Sequence, residues 1–314
     1  MERPKSIELY LPSVKSEWWC AITIVDSPKI CLLIINDLKQ MVEISIQTIL
    51  QESSSDIIIG YVSENDISKF RNLSDRILFV DLRDELVNLG IQSTNGDYQQ
   101  YTEDAFFSIV QLKWPLVLRT LDEYPNNNVI YSDADVIWCA DASSEMQRTF
   151  ERFPNIQILV QDQSISPLET SLCMGFVAFR NSNEARVIIR NAILMHKAKL
   201  KIDPKSGDDG IITDIYRSQK FKGSIVPLPQ SGFPIGNLAN LYSRRHLFPG
   251  LGFCYLFIFH ANYVIGIHRK VLLMYLVLRS TGKHRVVFSK KDQLRFQLEL
   301  ILRRMKYSFH SRVS

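Results

Sequence analysis

Short aliphatic runs alternate with segments of helical apolar spacing in the first third of the chain. Residues 30–35 are a continuous aliphatic run, which is typical of a strand covered on both faces. Residues 41–50 carry apolar positions at helical spacing, and residues 56–62 and 77–80 predict two further strands. This alternation predicts an α/β fold with a mostly parallel central sheet flanked by helices, and with ligands at the carboxyl ends of its strands.

The alternation continues, with more interruptions, towards the C-terminus. Residues 103–123 predict a long helix, interrupted or kinked near Pro115, that brings Lys113 towards the next strand. Beyond it the pattern predicts strands at residues 156–160 and 174–179, and helices at residues 184–195 and 211–216. Residues 197–205 predict a basic connection, and residues 226–229 and 233–236 a stretch punctuated by Pro and Gly.

Two aspartates stand at the end of one predicted strand, where residues 128–138 place apolar runs on both sides of Asp133 and Asp135. On an extended backbone the side chains of residues i and i+2 point the same way, so these carboxylates would converge on one cation. Carboxylate oxygens suit Mg²⁺ or Mn²⁺ carrying a phosphate better than they suit zinc. An ordinary Asp-rich turn is the alternative, since Asp-x-Asp alone is a weak motif.

A second acidic pair, Asp208 and Asp209, lies between Gly207 and Gly210 at the start of a predicted helix. Carboxylates in that position commonly cap a helix and interact favourably with its dipole. A catalytic role is the other interpretation, and the residues alone leave both open.

Composition indicates a folded globular chain with an uneven distribution of charge. The 314 residues are 46% hydrophobic, enough to bury a sizeable core. Residues 279–314 hold ten Lys or Arg against two Asp or Glu, so the positive charge lies in the C-terminal tail. Residues 292–307 predict a basic amphipathic helix that either contacts an anionic membrane surface or docks on the domain. Neither a zinc module nor a basic aromatic platform accompanies it, so no nucleic-acid partner is expected.

The cysteines and the N-terminus favour a cytoplasmic protein, or one held peripherally on a cytosolic membrane face. The five cysteines have no close pairs, which indicates buried thiols in a reducing compartment. Residues 1–11 lack the apolar region of a signal peptide. The longest uncharged apolar segment, residues 251–267, contains His260 and Asn262 and predicts a buried strand and loop rather than a membrane span.

The strongest functional indication is the spacing of four residues in one segment, His260, Asn262, Gly266 and Lys270. Their His-x-Asn-x-x-x-Gly-x-x-x-Lys pattern resembles the C-terminal element of nucleotide-diphospho-sugar transferases related to glycosyltransferase family 77, and of the similar glycogenin-like family. The fold of that group is GT-A, a Rossmann-like α/β fold. The resemblance extends over residues 30–270, with its other parts in the expected order: Lys113-Trp114, residues 131–138, Gly175-Phe176 with Arg180, Asp208-Asp209, and Leu228-Pro229 before Phe233.

The resemblance implies a metal-dependent glycosyltransferase, with a nucleoside-diphosphate sugar, foremost a UDP-sugar, as donor and a hydroxyl of a glycan or glycoprotein as acceptor. It implies that Asp133, Asp135 and His260 would bind Mn²⁺ or Mg²⁺. The donor-binding residues that it implies are Asn36, Lys113, Asp133, Gly175, Asn262, Gly266 and Lys270. The cation and Lys270 would together stabilise the departing nucleoside diphosphate.

Two positions depart from the family pattern. Cys173-Met174-Gly175 stands where relatives carry a polar side chain near the donor sugar, which leaves the identity of that sugar open. Asp208-Asp209 stands where an Asp-Gln pair is usual. In a retaining enzyme, the usual outcome for the family, Asp208 would orient donor or acceptor. In an inverting enzyme Asp209 would be the catalytic base that takes the acceptor proton.

Two further classes of function stay open on the sequence. A two-metal nucleotidyl or phosphotransfer enzyme would have a third carboxylate ligand where this chain has His260. An inactive nucleotide-sugar-binding protein would keep the fold without transfer. For the domain organisation we predict an N-terminal extension at residues 1–27, a catalytic domain at residues 28–272, and a basic helical tail at residues 273–314.

Overall fold

A seven-stranded sheet lies at the centre of the part of the chain that the computed structural model describes, which is residues 26–34, 38–89, 107, 109–164, 169–221, 223–236, 256–262 and 266–280. Its strands are β1 (Lys29–Leu33), β2 (Ile57–Tyr61), β3 (Ile77–Asp81), β4 (Val129–Ser132), β6 (Ile158–Asp162), β7 (Leu172–Phe179) and β8 (Ile225–Leu228). They lie in the order β3-β2-β1-β4-β7-β6-β8. Only β7 runs against its neighbours, being antiparallel to β4 and β6. The predicted mostly parallel α/β sheet is confirmed.

Helices cover both faces of this sheet. They are α1 (Lys39–Glu52), α2 (Glu64–Ile67), α3 (Arg83–Leu89), α4 (Lys113–Glu123), α5 (Ala142–Arg152), α6 (Asn183–Leu200), α7 (Asp208–Arg217) and α8 (Ile267–Ser280). Alternate residues of β1 enter different cores: Ile30 and Leu32 pack with α1, α5 and α8, whereas Cys31 and Leu33 pack with α4, α6 and α7. Burial on both faces is why these strands are continuous aliphatic runs.

A small second sheet extends the structure at the carboxyl end of β4. It consists of β5 (Val136–Trp138) paired antiparallel with β9 (Ile258–His260). This pairing confirms a buried strand within residues 251–267, and no helix among the described residues is long and apolar enough to cross a membrane.

Several predicted bounds are corrected by the structure. The helix that delivers Lys113 begins at that residue, after a turn at Gln111 and Leu112, so the interruption lies before Lys113 and not at Pro115. Pro115 falls in the first turn of α4, where a missing N–H costs no helical hydrogen bond. The predicted basic connection at residues 197–205 is partly helix, because α6 continues to Leu200.

Several elements were not predicted, among them β8 and α5. Residues 225–228 form β8 despite Pro227, because β8 is an edge strand and one of its sides needs no hydrogen-bond donor. Helix α5 follows β5 directly and is capped by the Asp141 side chain, which accepts from the backbone N–H of Ser144.

The predicted domain bounds stay predictions. Helix α8 continues across residue 272, and its residues Met274 and Leu278 pack in the core. Residues 1–25, Asn36 and the predicted tail helix at residues 292–307 lie outside the described residues.

Candidate metal and donor-binding site

Asp133 and Asp135 lie in a turn between β4 and β5. The backbone N–H of Val136 donates to the carbonyl of Asp133 at 3.1 Å, and the N–H of Asp133 donates to the carbonyl of Gly175 on β7 at 2.7 Å. The carboxylates therefore converge because of the turn, and the extended geometry assumed from the sequence is wrong for this segment.

His260 completes the group from the last residue of β9. Its backbone pairs with Val136, which places the ring beside Asp135, with 3.1 Å from His260 Nε2 to Asp135 Oδ1. Asp133, Asp135 and His260 each offer one ligand atom, and these atoms lie within 4.8 Å of one another. Two carboxylate oxygens and one imidazole nitrogen suit Mn²⁺ or Mg²⁺, so the donor set fits the predicted cation.

Two lysines neutralise the carboxylates of this group. Lys270, in the first turn of α8, forms an ion pair with Asp135. Lys113 lies 2.9 Å from Asp133 Oδ1 and 2.7 Å from Asp208 Oδ2, and its side chain is only 6% exposed. Burial opposes ionisation of both Asp135 and Lys113. The charges of Lys270 and His260 nevertheless hold the pKa of Asp135 well below its usual range. Likewise, Asp133 and Asp208 hold the pKa of Lys113 well above its usual range.

The second acidic pair faces the same site from the start of α7. The Asp208 carboxylate pairs with Lys113, and Asp209 Oδ1 accepts from the backbone N–H of Met174 at 2.7 Å. Burial, and then the charge of Asp208, raise the pKa of Asp209 to about 7. These partners belong to other elements, so helix capping does not account for the pair.

Gly175 is required by the packing of His260. A Cβ atom on residue 175 would lie 2.5 Å from Nδ1 and 2.8 Å from Nε2 of the imidazole, closer than side chains approach. The segment that contains Gly175 also positions Asn262, whose amide donates to Cys173 Sγ at 3.5 Å. A glycine is needed at residue 266 for a different reason, since its φ of +95° lies in the left-handed region just before α8.

The structure brings nearly all the predicted site residues together near the end of the sheet where β4 stops. Of these site residues, Asn36 alone falls outside the described residues. Tyr131 and Gln161 contact the group and were not predicted. Tyr131 donates from its hydroxyl to Asp133 Oδ1 at 2.9 Å, and its i−2 position on the strand was an available signal. Gln161 contacts His260 from β6, and its sequence position carries no such signal.

Comparisons with known proteins give the fold. No protein-family model matches this chain, and no curated protein matches it in sequence. Among solved structures, mouse xyloside xylosyltransferase 1 in its apo form is similar at 14% identity and a TM-score of 0.51, over 76% of this chain and 98% of that one. The galactosyltransferase LgtC, in complex with donor and acceptor sugar analogs, is similar at 11% identity and a TM-score of 0.52, over 83% and 98%. A glycosyltransferase involved in the glycosylation of the major capsid of PBCV-1 is similar at 9% identity and a TM-score of 0.51, over 80% and 100%.

The chain has the GT-A glycosyltransferase fold. In this GT-A chain the Asp-Asp-His group lies where β4 ends, beside β1, at the point where the strand order β3-β2-β1-β4 reverses direction. Ligands of open α/β sheets bind outside the carboxyl ends of strands, at such changes of direction. Because one fold supports many chemistries, the function has to be derived from the residues of the site.

Proposed function

We propose that this protein is a metal-dependent glycosyltransferase that moves a sugar from a nucleoside-diphosphate donor, most simply a UDP-sugar, to a hydroxyl of a glycan or glycoprotein. The observation that carries the proposal is the convergence of Asp133, Asp135 and His260 on a GT-A fold. Asp133, Asp135 and His260 would hold Mn²⁺ or Mg²⁺, and the cation would neutralise charge on the departing diphosphate.

Lys270 has the second role in leaving-group departure. Lys270 lies in the first turn of α8, shortly after Gly266, and its ammonium pairs with Asp135. The ammonium can therefore also reach a diphosphate on a cation bound by the carboxylates. A fixed cation next to developing negative charge stabilises the transition state more than the ground state. Asn262 and Gly266, on the segment between β9 and α8, are proposed to contact the same diphosphate.

Lys113 and Asp208 are proposed to orient the donor sugar or the acceptor. Their ion pair is nearly excluded from water and is anchored on Asp133, so a sugar hydroxyl entering here meets a preorganised donor and acceptor. In the retaining reaction that we favour, no protein base is required, and Asp208 acts by orientation. We propose that Gly175 acts on the donor through His260, which it allows to pack against β7.

An inverting reaction is the second candidate, and one observation favours it. Asp209 has a pKa raised to about 7, so near neutral pH its carboxylate can accept the proton of an acceptor hydroxyl. The two mechanisms differ in product: NMR of the anomeric proton in the transferred sugar shows retention in the first and inversion in the second.

A panel of nucleotide sugars tests the proposal directly. The full-length protein is incubated with each donor and with a mixed-glycan acceptor array, with Mn²⁺ or with EDTA. We expect cation-dependent transfer, or slow donor hydrolysis, with at least one donor. Binding without turnover at any cation concentration would instead identify an inactive nucleotide-sugar-binding protein. Turnover of nucleotides lacking a sugar would favour the two-metal enzyme, although Asp208 is already paired with Lys113.

The predicted peripheral membrane contact of the basic tail concerns residues outside the described ranges. It remains a proposal, and vesicle co-sedimentation of the full chain with and without residues 281–314 tests it.

A further inference from the structure

Gln161 is fully buried in the interior of the sheet, at the point where the pairing of β6 with β7 changes register. Val160 pairs with Val177, but Gln161 pairs with Cys173, so residues 174–176 of β7 have no partner on β6. Irregularities of this kind re-aim side chains next to functional sites. Here the shift coincides with the residue whose side chain contacts His260, at 2.9 Å from Gln161 Oε1 to His260 Nδ1.

The orientation of the Gln161 amide is determined by three partners. Its Nε2 group donates to the carbonyl of Phe233 at 3.0 Å and to the carbonyl of Pro234 at 3.2 Å. The reverse orientation would place Oε1 against two carbonyl oxygens, none of which can donate. The oxygen of the amide therefore faces His260.

The two carbonyls that fix the amide are themselves held in place. The ring of Phe233 stacks on Phe257 with centroids 5.3 Å apart, and its centroid lies 5.6 Å from that of Phe176. The carbonyl of Pro234 also accepts from the backbone N–H of His260 at 3.2 Å. Gln161 and His260 thus both hydrogen-bond to the same segment, residues 233–234.

An amide oxygen only accepts hydrogen bonds, so the ring nitrogen that faces it has to carry a proton. His260 Nδ1 consequently carries a proton, and Nε2 faces Asp135 Oδ1 at 3.1 Å, where the ligand atoms of the group converge. Without a cation Nε2 donates a hydrogen bond to Asp135, and a bound cation would take the place of that proton on the Nε2 lone pair. Hydrogen bonds to the distal nitrogen fix the tautomer and ring orientation of metal-binding histidines.

We propose that Gln161 is a positioning residue that holds His260 in the Nδ1–H tautomer and so presents Nε2 to a divalent cation. The inference rests on the proposed function only in taking the Asp-Asp-His group as a cation site. It assigns a role to a strand glutamine and to residues 233–234, which supply its two acceptors.

The test compares Gln161→Met with Gln157→Met. Methionine has similar length and volume but no amide, so Gln161→Met removes the acceptor at Nδ1 with little change in packing. Gln157 is the matched control: it lies just before the same strand, is also buried, and bonds to Asn155 and Ser182 instead of His260. Isothermal titration of the full chain with Mn²⁺ alone should give about a 10–100-fold loss of affinity for Gln161→Met, and little change for Gln157→Met.

A second measurement does not require Gln161→Met to fold. Long-range ¹H–¹⁵N spectra of Mg²⁺-loaded protein, with the His260 signals assigned by their loss in His260→Ala, report which ring nitrogen is protonated. The Nδ1–H pattern supports the proposal, and an Nε2–H pattern in the wild type overturns it. Unchanged Mn²⁺ affinity of a folded Gln161→Met also overturns it while leaving the proposed function intact. Wild-type protein that binds neither cation would refute both.

Discussion

Substituting alanine for Gly175 gives the sharpest structural prediction for this site. The added Cβ would lie 2.5 Å from Nδ1 and 2.8 Å from Nε2 of His260. The ring cannot rotate away cheaply, because it is held by Gln161 at 2.9 Å on one side and by Asp135 at 3.1 Å on the other. Overpacking of a rigid core costs about 1–3 kcal/mol, and loss of one of the two hydrogen bonds adds about 1 kcal/mol.

We therefore expect Gly175→Ala to lower the free energy of unfolding by about 2–4 kcal/mol. It should also weaken Mn²⁺ binding by at least about tenfold, because the displaced ring no longer aims Nε2 at the group. Urea denaturation in EDTA measures the first effect, and calorimetric titration with Mn²⁺ measures the second.

Gly210→Ala is the matched control. A Cβ on this helical glycine meets nothing within 4 Å, so the change should stabilise the protein by about 0.5–1 kcal/mol and leave cation affinity alone. A double-mutant cycle with His260→Ala isolates the clash, since Gly175→Ala should cost far less when the ring is absent. If Gly175→Ala keeps wild-type stability and affinity, the ring does not pack over residue 175 and the geometry argued for the site is wrong.

Two further predictions concern the charged groups around the site. Asp209 has a pKa of about 7 in the fold against an ordinary value of 3.8, so the native state holds a proton that the unfolded chain lacks between those values, and stability falls as pH rises through that window. The Asp209→Asn variant keeps an acceptor for the backbone N–H of Met174, so in EDTA it should be more stable than the wild type above pH 7. This difference in stability should shrink as the pH falls towards 4. Thermal melts across this range measure it, and a difference that does not change with pH would contradict the raised pKa of Asp209. Lys113→Met should destabilise the protein by about 3–5 kcal/mol, because it leaves Asp133 and Asp208 facing each other without a cation. That loss should be smaller at pH 5 than at pH 8 in denaturant titrations, because the neighbouring Asp209, whose pKa is raised to about 7, is protonated at pH 5 and adds no further negative charge. An equal loss at both values would show that charge is not the cause.

The central strands were predictable because they are buried on both faces and so appear as aliphatic runs. Residues 30–35 and 56–62 fall in this class, and the structure places β1 and β2 there. β8 escaped prediction because Pro227 argues against a strand unless its edge position is known. The interruption before Lys113 was misplaced because proline is disruptive in a helix interior and harmless in a first turn.

The site was only partly visible in the sequence, because its geometry depends on pairings between distant segments. Asp133 and Asp135 were recognised as a local pair, but the turn that makes them converge depends on the bond between Asp133 and Gly175. His260 was implied by resemblance, and its position follows from the pairing of β5 with β9. The contact between Gln161 and His260 could not be predicted from the sequence, because it forms where three separate segments of the chain meet and no local sequence pattern connects them.

Asp133, Asp135 and His260 are proposed to bind a divalent cation together with a nucleoside diphosphate. Calorimetric titration of UDP into the full chain, with and without Mn²⁺, tests it for the wild type, Asp135→Ala, His260→Ala and Asp56→Ala. Asp56 is the control, because it forms a comparable ion pair with Lys29 at 2.6 Å but at the opposite, amino-terminal end of the strands. We predict Mn²⁺-dependent UDP binding that is retained in Asp56→Ala and lost in both site variants. Mn²⁺-dependent binding that survives in folded Asp135→Ala and His260→Ala would show that these residues do not hold the cation.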